Sequence, residues 1–478
     1  MNFPAIPRPA LLAAIFALNF IEFLQTGMLV FAAAPSMGHI GASPEEYAAL
    51  SALYAAVAVL AISQVTVLVQ RLGWRSYLLA SLLCFLLGAW LSAGADRVPV
   101  FALGRILMAA GGAAFMTVSR MLVNLIPPSP QRLQGIAAFG SALALGIALG
   151  PWAAAELVGR EAWGGMFLVL ALVALGAAAL AARWLPAGAD TLDGSPTRLH
   201  TLDAALLAGG AGLALFGAQR LAYDWHGERA HALFLLALGL AMLLAFGLLH
   251  TRRRAPFLHL EVLGSRRYRA GLAIFSLCYL VLGAVSTALP QLVQRALGVG
   301  FEAAGRLQSA GMAVSFLAFW AVLATVRVRP HATKFYVVAF LMLALLGWHF
   351  SHLDPRGHAW DGVTWWIGLF GGFLVVAMAA TAVHGFKDFQ ANNVVFSHAQ
   401  QLKNMLSQPA LALGVGATNE LLQERGALHG ARLAEAALDP AAPVTQQAAL
   451  LAGMDVFWVL MWVGLAGAAL LLRQRAFD

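Results

Sequence analysis

The chain has 478 residues, of which 61% are hydrophobic and only 11% charged. A soluble protein typically carries about 25% charged residues, so too little polar surface remains to cover a water-soluble fold. The net charge of +8 does not point to nucleic acid, because the basic residues, nearly all Arg, gather in particular connections and not on one polar face.

The apolar residues come in blocks of roughly 20, the length at which a helix spans a bilayer core. Fourteen blocks are predicted, at 10–35, 47–70, 76–95, 98–124, 134–157, 163–184, 202–222, 230–250, 270–296, 303–326, 334–352, 362–385, 395–422 and 451–472. The expected fold class is therefore all-α, a polytopic membrane protein. The first block is longer than the apolar core of about 7–15 residues found in signal peptides, so it reads as a retained span.

That first block holds ALNFIEFLQTGMLVFAAAP, with Glu22 near its middle. A charge at the centre of a membrane helix costs about 2.5–3.5 kcal/mol on insertion scales. Asn19 lies three residues before Glu22, Gln25 three after it and Thr26 four after it, and these spacings share one helix face. The stripe is expected to line an aqueous cavity. A low dielectric favours the neutral form of a carboxyl, and a nearby arginine favours the ionised form. A carboxyl between those influences can load and release a proton. The other reading is a structural acid locked between helices.

The fourth block contains GRILMAAGGAAFM, and Arg105 is the natural partner of Glu22. The two are expected to be offset by roughly 9 Å along the membrane normal at 1.5 Å per residue. Gln25 would be closer to Arg105 still. Arginine does not lose its proton here, so its part would be electrostatic; the alternative is an anchor to backbone carbonyls. In the fifth block, ALALGIALGPWAAAEL places Gly146 and Gly150 four apart, followed by Pro151. Such glycines permit close helix packing, and the proline bends the helix.

Two connections look like joints. Pro186 to Asp203 is rich in Pro, Gly and small polar residues, and Thr251 to Arg269 is strongly basic. One helical pair lies between them. The expected organisation is a six-helix bundle at 1–185, a linker and inserted pair at 186–268, and a second six-helix bundle at 269–478. Six spans, a pair, then six spans matches a transporter plan in which substrate is handled between two halves.

The stretch WHFSHLDPRGHAWD brings together His349, His352, His358, Asp354 and Asp361, but the spacing matches no closed zinc pattern. No metal and no cofactor are expected. The thirteenth block opens with VVFSHAQQLKNMLSQPALALGVG. There Ser397, Gln401, Asn404 and Gln408 follow helical spacing beside Lys403, and Pro409 interrupts. This second stripe reads as substrate-binding or gating surface, or in part as loop. Cys84 and Cys278 sit inside apolar blocks and read as packing residues. No HExxH, phosphate loop, GxSxG or dinucleotide fingerprint occurs. The chain reads as no enzyme, and energy would come from an ion gradient. With the N-terminus inside, the inner connections hold about three times as many Lys and Arg as the outer ones, which predicts that both termini are cytoplasmic.

These motifs together resemble the fourteen-span drug/proton antiporters of the major facilitator superfamily (EmrB/QacA type), over nearly the whole chain. GRILMAAGGAA resembles the family's fourth-span arginine motif, with Arg105 in place. LGIALGP resembles its antiporter motif, with Gly146, Gly150 and Pro151. LVQRLGWR resembles the loop motif between the second and third spans, with Arg71, Gly73 and Arg75, although Gln70 stands where an Asp is usual. LPQLVQRALG, with Pro290, Gln294 and Gly298, resembles the start of the C-terminal six, and AYDWHG is also similar to the family. The first span departs from the pattern: the family's acid lies near Gln25 or Thr26, and here it is Glu22, one turn earlier.

The resemblance implies a proton-coupled antiporter of the bacterial inner membrane that exports small amphiphilic or toxic molecules by alternating access. It implies protons, a small-molecule substrate and the lipid bilayer as partners, and a periplasmic adaptor with an outer-membrane channel. Two other readings stay open. One is a proton-coupled importer of a specific solute. The other is a polytopic membrane transferase, which would have to draw on His349, His352 and His358.

Overall fold

The computed structural model describes residues 8–126, 131–188, 198–223, 229–328, 331–353, 362–390, 392–436, 444–474 and 477. Helix dominates, and no strand occurs among the described residues. In hydrocarbon no water is available to the backbone, and a helix satisfies its N–H and C=O groups within one segment.

The N-terminal elements are α1 (Arg8–Phe31), the short α2 (Ala33–Ile40), α3 (Pro44–Ser63), α4 (Val65–Ala93), α5 (Val98–Gly112), α6 (Phe115–Leu125), α7 (Arg132–Gly159) and α8 (Gly165–Trp184). A capping box starts α3: the Ser43 hydroxyl accepts from the Glu46 N–H, and the Glu46 carboxylate accepts from the Ser43 N–H. A helical pair follows, α9 (Thr201–Tyr223) and α10 (Arg229–His250). The C-terminal elements are α11 (Arg266–Gln291), α12 (Phe301–Met312), α13 (Val314–Val328), α14 (Ala332–Ser351), α15 (Val363–Ala380), α16 (Asn393–Ala436) and α17 (Val444–Arg473).

Several predicted spans are interrupted. The predicted first span bends at Ala32, and the predicted fourth divides between α5 and α6 just after Gly111 and Gly112. Gly73 lies inside α4 with φ 76° and ψ 165°, far from helical geometry, and its break falls between the predicted spans 47–70 and 76–95. Only glycine fits there, because a Cβ would collide with the Ala187 carbonyl. Next to it, the Arg75 N–H donates to Pro186 O at 3.1 Å, and its Nε donates to Leu185 O at 2.8 Å. The loop glycine and Arg75 thus clasp the end of α8; Arg71 is exposed.

Among the described residues, 13 helical stretches are long and apolar enough to cross a membrane, by length and composition. α16 is not among them, because its first half carries the polar stripe. It nonetheless has 44 residues, about 66 Å at 1.5 Å per residue, more than twice a bilayer core of about 30 Å. It runs on to Ala436, beyond the predicted end at 422, so Arg425 and Arg432 are helical and not in a loop.

In the first group of helices α1 packs on α6, α7 and α8, and α4 packs on α5 and α8. In the second, α11 packs on α16, α14 on α15 and α17, and α15 on α12 and α13. The two groups meet where α7 touches α12 and α13, where α3 and α6 touch α16, and where α1 touches α11. α9 and α10 pack on each other, and α9 lies against both α3 and α16, so the pair covers one seam between the groups. Its foot is tied down: Asp203, fully buried, meets His250 Nδ1 at 2.8 Å and accepts from Arg253 Nη2 at 2.9 Å. Trp90, Leu172 and Trp365 are 69%, 70% and 75% exposed on the outside of the helices, where a water-soluble fold would place polar groups.

Candidate transport site

The polar stripe of α1 divides by depth. Its Gln25 and Thr26 line a cavity of about 290 Å³ between the two groups of helices, walled by α1, α3, α5, α9, α11 and α16. The walls reach Met37, Pro44 and Gln423, so the cavity extends toward the end of α1 opposite the N-terminus. Arg105, half-buried, lines the same cavity.

Glu22 is 6% exposed and lies beside the cavity without being part of its wall. Its Oε1 accepts a hydrogen bond of 3.2 Å from Gln408 Nε2 on α16, and Gln408 does line the cavity. The acid is thus linked to the cavity through an amide of the other helix group. A glutamine side chain can serve either form of a carboxyl, donating to the carboxylate or accepting from the acid. The Glu22 backbone carbonyl also accepts from Thr26 Oγ1 at 2.9 Å, a bond within the helix.

Arg105 does not form an ion pair with Glu22. Its guanidinium carbon stands 4.1 Å from the centroid of the Tyr54 ring, and the Tyr54 hydroxyl accepts from Gln25 Nε2 at 2.8 Å. Tyr54 on α3 therefore links the arginine and the α1 stripe. Sequence reasoning missed it, because a tyrosine in an apolar helix reads as packing. It also missed Gln219, Gln291 and Asn419, which line the cavity. Gln219 comes from the inserted pair and sits 3.5 Å from Ala412 O.

Other stripe residues face elsewhere. Asn19 is fully buried and donates to Phe139 O on α7 at 2.6 Å, so it packs helix on helix. Gln401 is buried against His398, with Oε1 to Nδ1 at 3.0 Å. Asn404 donates to Thr117 Oγ1 on α6 at 2.7 Å. With it, Tyr279 OH reaches Met116 Sδ at 3.4 Å and Arg120 Nη2 donates to Ala382 O at 3.1 Å, so among the described residues these bonds join the two helix groups nearer the N-terminus of α1.

The glycines of α7 pack against α1. A Cβ on Gly146 would lie 2.8 Å from Phe23 Cβ, and one on Gly150 would lie 2.7 Å from Gly27 Cα. Pro151 follows inside the helix and supplies no N–H. The next N–H, of Trp152, donates to Ser309 Oγ on α12 at 2.7 Å, so the proline region also touches the second helix group.

The histidine-rich connection lies partly outside the described residues, which leave out His358, Asp354 and Asp361. His349 stacks on Trp366 with ring centroids 4.0 Å apart, and the His352 ring lies 5.6 Å from Trp348. Among the described residues no cluster of three or more His, Cys, Asp or Glu side chains is arranged to hold a metal ion. Cys84 and Cys278 are free thiols. Most of AYDWHG also lies outside the described residues.

A family model described as Major Facilitator Superfamily matches residues 15–399. The MdtD protein of Pectobacterium atrosepticum, whose name provisionally assigns it to multidrug resistance, is 25% identical over 423 residues, 86% of this chain and 88% of MdtD. The uncharacterized MFS-type transporter YhcA of Bacillus subtilis is 26% identical over 253 residues, covering 53% of this chain and 47% of YhcA. The uncharacterized transporter YebQ of Escherichia coli is 27% identical over 232 residues, covering 47% and 49%. The chain therefore spans about half the length of YhcA and YebQ. Among solved structures, the proton:xylose symporter XylE is similar with a TM-score of 0.60 at 14% identity, covering 98% of this chain and 95% of that one. A proton-dependent oligopeptide transporter structure is similar with a TM-score of 0.58 at 14% identity, covering 97% and 98%. At these identities the likeness is one of fold.

Proposed function

The chain belongs to the major facilitator superfamily, and from that premise we propose that it is a proton-coupled exporter of small amphiphilic or toxic molecules. It is a transporter of a family that is not a class of enzymes. The observation that carries the proposal is the Glu22 carboxyl, buried mid-helix and bonded across the helix groups by Gln408 at the edge of the cavity.

The proposed cycle uses that bond. Glu22 takes a proton from the side the cavity faces. The two groups then rock, Gln408 moves relative to α1, and the proton leaves toward the other side; cargo binds there and is carried outward on the return stroke. An unpaired carboxylate in a low-dielectric site is costly. Protonation therefore selects which arrangement of the groups is favourable, and this differential is what couples ion to cargo. A proton moving down one pH unit supplies about 1.4 kcal/mol. A charge moving through 100 mV supplies about 2.3 kcal/mol.

Arg105 and Tyr54 would set the electrostatics of the wall, and Gln25, Thr26 and Gln408 would offer polar contacts to cargo. Asn404 would act in closing the cavity and not in binding. Gly146, Gly150 and Pro151 keep α7 close to the acid-bearing α1, which would pass a movement at α12 to Glu22.

The architecture proposed for this cycle has fourteen spans as six, two and six, at 1–185, 186–268 and 269–478. α16 supplies the span that its polar stripe hides. The bias of Lys and Arg supports cytoplasmic termini in a bacterial inner membrane. Cargo released on the far side would pass to a periplasmic adaptor and an outer-membrane channel; co-purification from crosslinked membranes tests that step. Transport into everted vesicles under an imposed pH gradient tests direction. Uptake driven by an acid interior supports export, and loss of preloaded compound under that gradient would favour import.

A further inference from the structure

Two basic side chains lie buried in the half of the protein that the central cavity does not reach. Arg120, on α6, is 5% exposed, and Lys403, on α16, is 4% exposed. Both line one cavity of about 50 Å³ between the two helix groups. Arg120 also lines an adjoining cavity of about 180 Å³, whose wall includes Arg132.

Among the described residues, no carboxylate forms an ion pair with either side chain. Arg120 uses Nη2 to reach Ala382 O, but its Nε and Nη1 are buried without hydrogen-bond partners. Lys403 Nζ stands 4.1 Å from the centroid of the Phe275 ring. A ring face offsets only part of the cost of removing an ammonium from water. Buried charges in folded proteins are ordinarily paired. Two basic groups on one small cavity, with donors left over and no acid against them among the described residues, describe a site suited to an anion that enters from outside.

We propose that Arg120 and Lys403 form the headgroup site for a small amphiphilic organic anion, a carboxylate or sulfonate on an apolar body. The guanidinium supplies the fixed fork that suits such a head, and the ammonium supplies a point charge beside it. The 50 Å³ cavity holds only part of such a ligand, so Phe139, Phe275 and Phe319 in its wall, with Ile136, Leu323 and Phe396 along the adjoining 180 Å³ cavity, take the apolar part. As cargo recognition the proposal rests on the transporter function above and narrows its substrate class. As binding it requires no proton coupling.

The test uses the purified full-length chain in nanodiscs of zwitterionic lipid, without a gradient. The probe is radiolabelled 4-butylbenzoate, with 4-butylbenzyltrimethylammonium as the matched cation. Saturable binding of the benzoate is expected, with affinity reduced at least tenfold in Arg120→Gln and in Lys403→Gln. In Arg120→Lys, which keeps the charge but not the fork, the loss should be smaller. Equal binding of the matched cation, or undiminished binding in both Gln variants, overturns the proposal. Inorganic phosphate displacing the benzoate as well as unlabelled benzoate does would overturn the amphiphile. Loss of benzoate binding in nanodiscs containing phosphatidylglycerol would assign the site to lipid and overturn it too. A variant fold is checked by melting: ligand-free Lys403→Met should melt no lower than wild type, because it removes a buried amino head that no acid pairs with among the described residues. A lower melting temperature would make the lysine structural and count against the site. Because no gradient is applied, failure here leaves the coupling role of Glu22 standing, and failure of coupling leaves this site standing.

Discussion

Gln408 Nε2 donates to Glu22 Oε1 across 3.2 Å, and in doing so joins α16 to α1. The only titratable side chain of the α1 stripe is thereby held by a residue of the opposite helix group. Any motion between the groups changes the environment of that carboxyl, which is the physical requirement for coupling a proton to a conformational change. Gln408→Leu removes the amide and keeps the apolar bulk. A hydrogen bond to a charged group is worth about 1.5–3 kcal/mol, so transport should fall roughly ten- to a hundredfold. Gln408→Glu would place a second acid against the first and should also fail. Initial rates of efflux at matched expression check both.

Tyr54 should matter for its ring and its hydroxyl separately. Tyr54→Phe leaves the face under Arg105 and removes the acceptor of Gln25. Tyr54→Ala removes both. The contact with the ring is worth about 0.5–2 kcal/mol, so the Ala variant is expected to lose several times more transport than the Phe variant. Equal loss in the two would assign the effect to the hydroxyl alone.

Close approach of α7 to α1 leaves no room for a side chain at Gly150. Gly150→Leu should cost at least the roughly 1–3 kcal/mol typical of overpacking and should reduce transport. Gly176→Leu is the control, because nothing lies within 4 Å of a Cβ there. Thermal melting in detergent compares the two. Similar melting temperatures would mean that α7 is free to move away from α1.

At Gly73 both the left-handed φ of 76° and the Ala187 carbonyl oppose a side chain. Gly73→Ala is expected to lower the melting temperature by several degrees. Gly38→Ala, which has open space around it, should not.

The inserted pair is anchored by Asp203. Asp203→Ala strands His250 and Arg253, and breaking a buried pair costs about 3–5 kcal/mol. Arg253 is partly exposed, at 35% of its side chain, so solvent screens its contribution and Arg253→Ala should lower the melting temperature far less. The ratio of the two shifts is the measurement.

Much of this molecule was legible in sequence, and what was not has physical causes. Apolar blocks announce membrane helices directly, because the bilayer sets their length. The α1 stripe was legible because three polar residues at helical spacing around an acid stand out in an apolar helix. Its fate was not. Gln25 and Thr26 reach the cavity, yet Asn19 turns to a backbone carbonyl of α7, because periodicity gives the face of a helix and not what packs against it at each depth. The same gap hid Tyr54, which took the place expected for Glu22 as the neighbour of Arg105. Gln219 was missed because the inserted pair was set apart from the bundles, although α9 packs against α3 and α16 and reaches the cavity. The bend at Ala32 and the division after Gly112 left no mark, since small residues there also suit continuous helix.

The central claim is that proton exchange at Glu22 drives cargo. A strain lacking the protein, complemented with wild type or Glu22→Gln, is first exposed to a panel of amphiphilic toxic compounds. A compound that separates the deletion from wild type is then followed in everted membrane vesicles with the interior made acid. Wild-type vesicles should accumulate it and lose the accumulation when the gradient is collapsed. Glu22→Gln vesicles at equal expression should not accumulate it. Equal gradient-driven accumulation in both would contradict the account, and would leave Glu22 as a residue that only holds α1 to α16.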